Sequence, residues 1–408
     1  MTIESSAFRL ADRMASRIGL FRRSLAQSDL LAAAQRRTGL REFGERSFED
    51  ALAMLLRSYN EEANLSAFGR FAARWDVIRL LSNLLILHHA EASEPAILER
   101  PIRRPIFITG LPRSGTTFLH SLLAQDPTNL VPRFWQTIYP YPEPGQAGAR
   151  RDARLEMVDR QLSGFARLAP DIRKVHPVDA RSPQECTEIT AHVFRSLRFD
   201  TPHDVPSYRR WLDHDGHLAA YRFHKRFLCH LQSDQSAGRW ILKCPDHLFA
   251  LDAIREVYPD ARFVVLHRDP LRMLASVARL TEILRQPFTR RVDRHGIGRQ
   301  VSDHWARGAE ILVRSRSDGS MARAGEIHVQ FRDLTADPMA CVRRLYEQFD
   351  MPLEPHVAAR MHAYAGARPK GGYASNAYRL EDYGLDREAE LARYGRYVRC
   401  FAIEPEPA

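Results

Sequence analysis

Residues 110–117, Gly-Leu-Pro-Arg-Ser-Gly-Thr-Thr, lie between an apolar run at 105–109 and a helix-like run at 118–124. Two glycines five positions apart, with Ser or Thr two further on, form the spacing of a strand–loop–helix phosphate cradle. Backbone N–H groups at the helix start can hold a phosphate there. Where an ATP or GTP enzyme carries Lys, this chain has Thr116, and the nearest cation is Arg113. The loop therefore suits a nucleotide donor other than ATP.

From residue 105 onward, short apolar runs alternate with helical patterns. Strands are expected at 105–109, 239–243, 261–267 and 327–331, each followed by a helix. Asp337 and Pro338 supply an N-cap and a first helical residue for the last of these helices. The pattern predicts an α/β fold: a P-loop-type parallel sheet flanked by helices, with a helical N-terminal extension and a helical insertion. The extension spans 1–100 and the main domain 101–408, with the insertion at 127–238 lying over the strand ends. Residues 91–105 read as a linker. Ligands of such sheets bind beyond the carboxyl ends of the strands. The P-loop, Lys243, Arg268 and the pair Arg332–Asp333 all fall there.

Composition narrows the function. Hydrophobic residues make up 44% of the 408, enough for a large core, yet no run approaches a membrane span. No signal-like start is evident, so a cytoplasmic protein with no integral membrane segment is expected. The five cysteines are not at disulfide or zinc spacing, and the histidines do not form H-E-x-x-H, so no metal is expected. Net charge is +10, and only four of the 60 basic residues are lysine. No basic block is interleaved with aromatics, which argues against nucleic acid and leaves an anionic small ligand.

A second motif, His-Arg-Asp-Pro-Leu-Arg-Met-Leu-Ala-Ser at 267–276, reinforces the first. Asp269 can cap the next helix, and Pro270 fits its first turn. Arg268 and Ser276 can then form a separate pocket for a second phosphate, since the Arg fork matches phosphate oxygens. His267-Arg268-Asp269 and Asp382-Tyr383-Gly384 imitate protein-kinase motifs, but position 274 is Leu where a kinase needs Asn.

With both motifs in hand, the sequence resembles the sulfotransferase superfamily, in particular its bacterial branch. Leu111 to Thr117 resembles the 5′-phosphosulfate loop, and Arg268 with Ser276, eight residues on, resembles the 3′-phosphate site. The Pro-Gln-Glu-Cys run at 183–186, the run 240–247 and the tail 378–385 are similar too. The resemblance implies 3′-phosphoadenylyl sulfate (PAPS) as donor and 3′,5′-adenosine bisphosphate (PAP) as product. The acceptor would be a hydroxyl of a small molecule, lipid or glycan.

It implies donor contacts from Arg113, Ser114, Gly115, Thr116 and Thr117, from Arg268 and Ser276, and from a late loop with Arg368, Lys370 and Gly371. Phe118 would stack on adenine or fill the core. Arg113 would stabilise the moving sulfuryl group, and Lys243 the donor or transition state. For the base, cytosolic relatives place a His two residues after the equivalent Lys, where this chain has Pro245. Glu185 is the first choice and His247 the second. Glu188, His176 and His192 follow.

Phe134, Trp135, Tyr139, Tyr141, Phe165, Tyr208 and Trp211 suggest a partly apolar acceptor pocket. The N-terminal helices can pack on their own sheet or form a homodimer. The competing readings are a P-loop kinase or NTPase with a degenerate loop, and a non-catalytic nucleotide-binding protein. A kinase would need a Lys and an acidic residue after the third strand, where this chain has His-Arg.

Overall fold

The structure, a computed structural model, describes residues 24–142, 151–168, 179–232, 238–317, 325–367 and 379–406. Five parallel strands build one sheet: β1 Ile106–Gly110, β2 Asn129–Leu130, β3 Arg239–Lys243, β4 Arg262–His267 and β5 Glu326–Gln330. Their order is β2-β3-β1-β4-β5, so β1 is central, with Phe107 opposite both Leu242 and Phe263. The four expected strands are present, with ends shifted by at most one residue. The two-residue edge strand β2 was not foreseen, being too short to carry any periodicity. Phe331, expected to end the last strand, instead opens a helix.

Alternation along the strands sends side chains to two faces. Ile106, Ile108, Ile241, Val264, Leu266, Ile327 and Val329 bury one face against helices α4 Thr116–Leu123, α14 Pro338–Gln348 and α15 Pro355–Gly366. Phe107, Leu242, Phe263 and Val265 bury the other. On that side the cluster runs without a break into the N-terminal helices α1 Gln27–Thr38, α2 Glu49–Glu61 and α3 Ala67–Ser93. The middle of α3 is buried all round from Arg79 to Leu87, a run mostly of leucines with Ser82 and Asn83 among them. Its last turn extends into the expected linker. There Glu91 receives hydrogen bonds from Arg226 and lies 2.8 Å from His230 Nε2.

The insertion carries helices α5 Phe134–Ile138, α6 Arg151–Leu168, α7 Thr187–Thr190, α8 Pro206–Asp215 and α9 Leu218–Leu231. A buried charge network ties it to α3: Arg79 reaches Asp76 and Glu188 at 2.7 Å each, and Arg198 reaches Asp76 at 2.6 Å. Burial alone would raise the Asp76 carboxyl, but the Arg198 and Arg79 guanidiniums outweigh it and hold it well below its usual range. The remaining helices are α10 Leu251–Val257, α11 Pro270–Arg285, α12 Arg294–Ser317, α13 Phe331–Ala336, α16 Arg387–Arg393 and α17 Gly395–Cys400. Asp337 caps α14 as expected, accepting from the Ala340 N–H at 2.9 Å.

Candidate functional site

The loop after β1 is shaped by its two glycines. Gly110 has φ 129° and Gly115 φ 89°, both in the region L side chains avoid. A Cβ on Gly110 would lie 2.1 Å from the Leu266 carbonyl oxygen, so β1 and β4 can approach this closely only at glycine. Arg113, between them, is also left-handed at φ 64°. Ser114 is fully buried and donates its hydroxyl to the Leu111 carbonyl at 2.6 Å, which closes the loop on itself.

One side of the site forms where β3 ends. The Lys243 side chain is only 2% exposed, and its Nζ donates to Thr117 Oγ1 at 3.0 Å and to Glu185 Oε1 at 2.5 Å. Glu185 is held there by its backbone neighbours. The Gln184 N–H donates to the Pro132 carbonyl at 2.8 Å, and the Cys186 N–H to the Lys243 carbonyl at 3.1 Å. The Glu185 side chain remains 30% exposed. His247 lies beneath, fully buried, with Nδ1 2.5 Å from the Tyr221 hydroxyl and its ring edge-on to Phe107. Burial, then the nearby His224 and Lys243, keep its pKa well below the usual value. Asp246, one residue earlier, is pushed up to about 7 by burial and then by the Glu185 charge.

The other side forms where β4 ends. Asp269 caps α11 by accepting from the Leu271 N–H at 2.8 Å, with Pro270 in the first turn. This sets Ser276 over the loop. Arg113 Nε donates to Ser276 Oγ at 3.1 Å, and Arg268 Nη1 donates to the Arg113 carbonyl at 2.6 Å. Arg268 also lies 3.9 Å over the Phe331 ring. The two motifs therefore meet at one edge of the sheet. The cation beside Thr117 and Glu185 is Lys243, whereas the Arg113 Nε faces Ser276.

Other expected residues sit elsewhere. Glu188 is spent on Arg79 and Arg198, and His192 is buried between Asn83 and the Glu188 carbonyl. Phe118 is partly buried against the sheet's second core cluster. Tyr208 is a core residue bonded to the Phe194 carbonyl, and Tyr141 meets His230 at 2.9 Å. Trp135 and Tyr139 join a small cluster with Leu155 and Val158. His267 contacts Tyr397 and His328. Arg332 pairs with Glu404 on the surface. Arg368, Lys370, Gly371 and His176 lie outside the described residues. Sequence reasoning missed Phe331, read as a strand end, and Asp246, hidden inside the run 240–247.

A cavity of about 360 Å³ opens at the far, amino-end edge of the sheet, lined by Arg103, Arg104, Arg239 and Arg262 among others. It lies at the opposite strand ends from the 110–117 and 267–276 motifs, so the chemistry rather than the volume marks the site. Among the described residues no cluster fit to bind a metal occurs, and no helix is long and apolar enough to cross a membrane.

Comparison with known proteins agrees with this geometry. The sequence profile described as the sulfotransferase family matches residues 105–355. A curated relative, the omega-hydroxy-beta-dihydromenaquinone-9 sulfotransferase Stf3 of Mycobacterium tuberculosis, is 25% identical over 321 residues, covering 74% of this chain and 77% of its own. The crystal structure of sulfotransferase STF9 from Mycobacterium avium superposes with a TM-score of 0.84 at 30% identity, covering 94% of this chain and 99% of that one. Sulfotransferase STF1 from Mycobacterium tuberculosis H37Rv gives 0.79, also at 30% identity, covering 90% and 98%. The chain belongs to the sulfotransferase family and is an enzyme of sulfuryl transfer.

Proposed function

We propose that the enzyme takes its sulfuryl group from PAPS, releases PAP and sulfates a hydroxyl of a small or lipid-like molecule. The observation that carries this reading is the position of Lys243 Nζ, between Thr117 at the start of α4 and the Glu185 carboxylate. The donor's 5′-phosphosulfate would sit on the loop and the N-terminus of α4. The 3′-phosphate would meet Arg268, Ser276 and Arg113.

The acceptor oxygen attacks sulfur in line with the bridging oxygen. The new O–S bond forms as the old one breaks, and the electron pair stays on the phosphate oxygen of PAP. Catalysis of this kind rests on positioning and charge stabilisation. Lys243 neutralises the leaving oxygen, and Glu185 takes the acceptor's proton. These two are paired across 2.5 Å. A donor phosphate that draws on the ammonium would loosen the pair and let the carboxylate take the acceptor's proton. The partial exposure of Glu185 supports it over His247, which is sealed beneath the strand.

The relative Stf3 is named for the acceptor omega-hydroxy-beta-dihydromenaquinone-9, which supports a hydroxylated lipid as the acceptor class. The cysteines, all unpaired and four of them buried, support action in the reducing cytoplasm. The test is transfer of radiolabelled sulfate from PAPS to hydroxylated lipids, metabolites and glycans. Absence of both PAP binding and transfer would overturn the reading.

A further inference from the structure

The helix α17 packs its end on the carboxyl ends of β4 and β5. The Phe401 ring stacks on His267 at 4.1 Å and 21°, and its carbonyl accepts from Gln330 Nε2 at 2.8 Å. Ala402, left-handed at φ 49°, turns the chain out of the helix. The Ile403 N–H closes that turn on the Val398 carbonyl at 2.9 Å, and the Ile403 side chain is buried. The next three residues are thus delivered across the strand ends from a fixed point.

There they meet the second anion site. Glu404 pairs with Arg332. Glu406 presents both carboxylate oxygens to Arg268, with Nε and Nη2 each at 2.7 Å. The Glu406 N–H donates to Asp269 Oδ2 at 3.0 Å. With Nη1 on the Arg113 carbonyl, all three nitrogens of the Arg268 guanidinium are engaged by the protein itself. Of the two guanidinium edges that can bind carboxylate or phosphate bidentately, Nη1/Nη2 is compromised by the Arg113 carbonyl, and Nε/Nη2 cannot hold both anions.

We propose that residues 403–406 form a carboxylate strap that occupies the 3′-phosphate fork, so that donor binding requires Glu406 to leave Arg268. The proposal rests on the assignment of Arg268 to the 3′-phosphate made above. Glu406 is a tethered competitor: it offers one negative charge, while a phosphate offers up to two and reaches Ser276 and Arg113 as well. The strap therefore lowers the apparent affinity for 3′-phosphorylated nucleotides by the fraction of molecules in which it is closed. A nucleotide lacking the 3′-phosphate has no need of the fork and is indifferent to the strap.

Calorimetry with PAP and with adenosine 5′-phosphate tests this on the full chain, using Glu406→Ala, Arg268→Ala and the double variant. Glu406→Ala is expected to tighten PAP about tenfold, to leave adenosine 5′-phosphate unchanged, and to have no effect in the Arg268→Ala background. If Arg268→Ala weakens PAP but Glu406→Ala does not tighten it, the strap is overturned while the phosphate fork stands. Equal tightening of both nucleotides also overturns it, because the segment would then restrict general access. If Arg268→Ala leaves PAP binding intact, the fork assignment fails and the strap falls with it.

Discussion

Arg113 Nε donates to Ser276 Oγ across 3.1 Å, joining the loop after β1 to the helix after β4. The two sequence motifs, 110–117 and 267–276, are thus in direct contact through one arginine. Lys243 is left as the cation at Thr117 and Glu185. This division of labour sets the expected phenotypes.

Arg268→Ala should weaken PAP about 100-fold, since a charge-assisted bidentate contact is lost. Its melting temperature should fall by a few degrees at most, because the side chain, 20% exposed, also holds Glu406, the Arg113 carbonyl and the Phe331 ring. Ser276→Ala removes a single hydrogen bond and should cost about tenfold or less. ATP should bind far more weakly than PAP, since Thr116 replaces the γ-phosphate lysine and ATP has no 3′-phosphate. Titration calorimetry checks the three affinities and thermal melting the stability.

Glu185→Gln should lower kcat by about 100-fold or more, the usual worth of a positioned base. PAP affinity should hold or tighten, because the variant releases Lys243 from the carboxylate it is paired with. Steady-state kinetics beside PAP titration separates the two effects. Full turnover in the variant would move the base to another residue, with His247→Gln the next to make.

Gly110→Ala should be strongly destabilising. The added methyl meets the Leu266 carbonyl oxygen at 2.1 Å, and φ 129° is strained for alanine. A loss of at least about 3 kcal/mol is expected where a clash adds to backbone strain. Thermal melting of the purified variant, or its failure to accumulate in soluble form, reads this out.

Stability should fall as the solution is acidified. Burial depresses His120, His192, His203, His224 and His304 to about 3, from an ordinary value of 6.5. A depressed folded-state pKa gives stability that is present above 6.5 and is lost as pH falls toward the folded value. Asp246 acts in the opposite sense. Raised from 3.8 to about 7, it stabilises fully below 3.8 and loses that contribution as pH rises through 7. Asp200 is raised as well, also by burial, but His247 and His267 are depressed alongside the five, so the histidines dominate. The melting temperature at pH 5 should lie at least about 5 °C below that at pH 7.5. A flat or rising profile would show that these rings are hydrated.

The strands, the turn after β1 and the helix start after β4 were legible because each has a local cause: an apolar run of strand length, a glycine spacing, or an Asp-Pro helix start. The direction of Arg113 was not, because a left-handed non-glycine residue takes its conformation from the loop packed around it. Glu188 and His192 ranked behind Glu185 and His247, yet nothing local to them rules out chemistry. Only tertiary structure reveals that Arg79, Arg198 and Asn83 engage them first. The Glu406–Arg268 pair joins residues remote in sequence, with no motif at the carboxylate end.

The central place of β1 has a consequence for biosynthesis. Residues 106–110 find their neighbours only at 239–243 and 262–267. At 5–20 residues per second the ribosome needs on the order of ten seconds to deliver those partners. Until then the most apolar strand has no lattice to join. Nascent chains ending before residue 267 should accordingly be clients of chaperones rather than nucleotide binders, and competence should arise late and abruptly in translation.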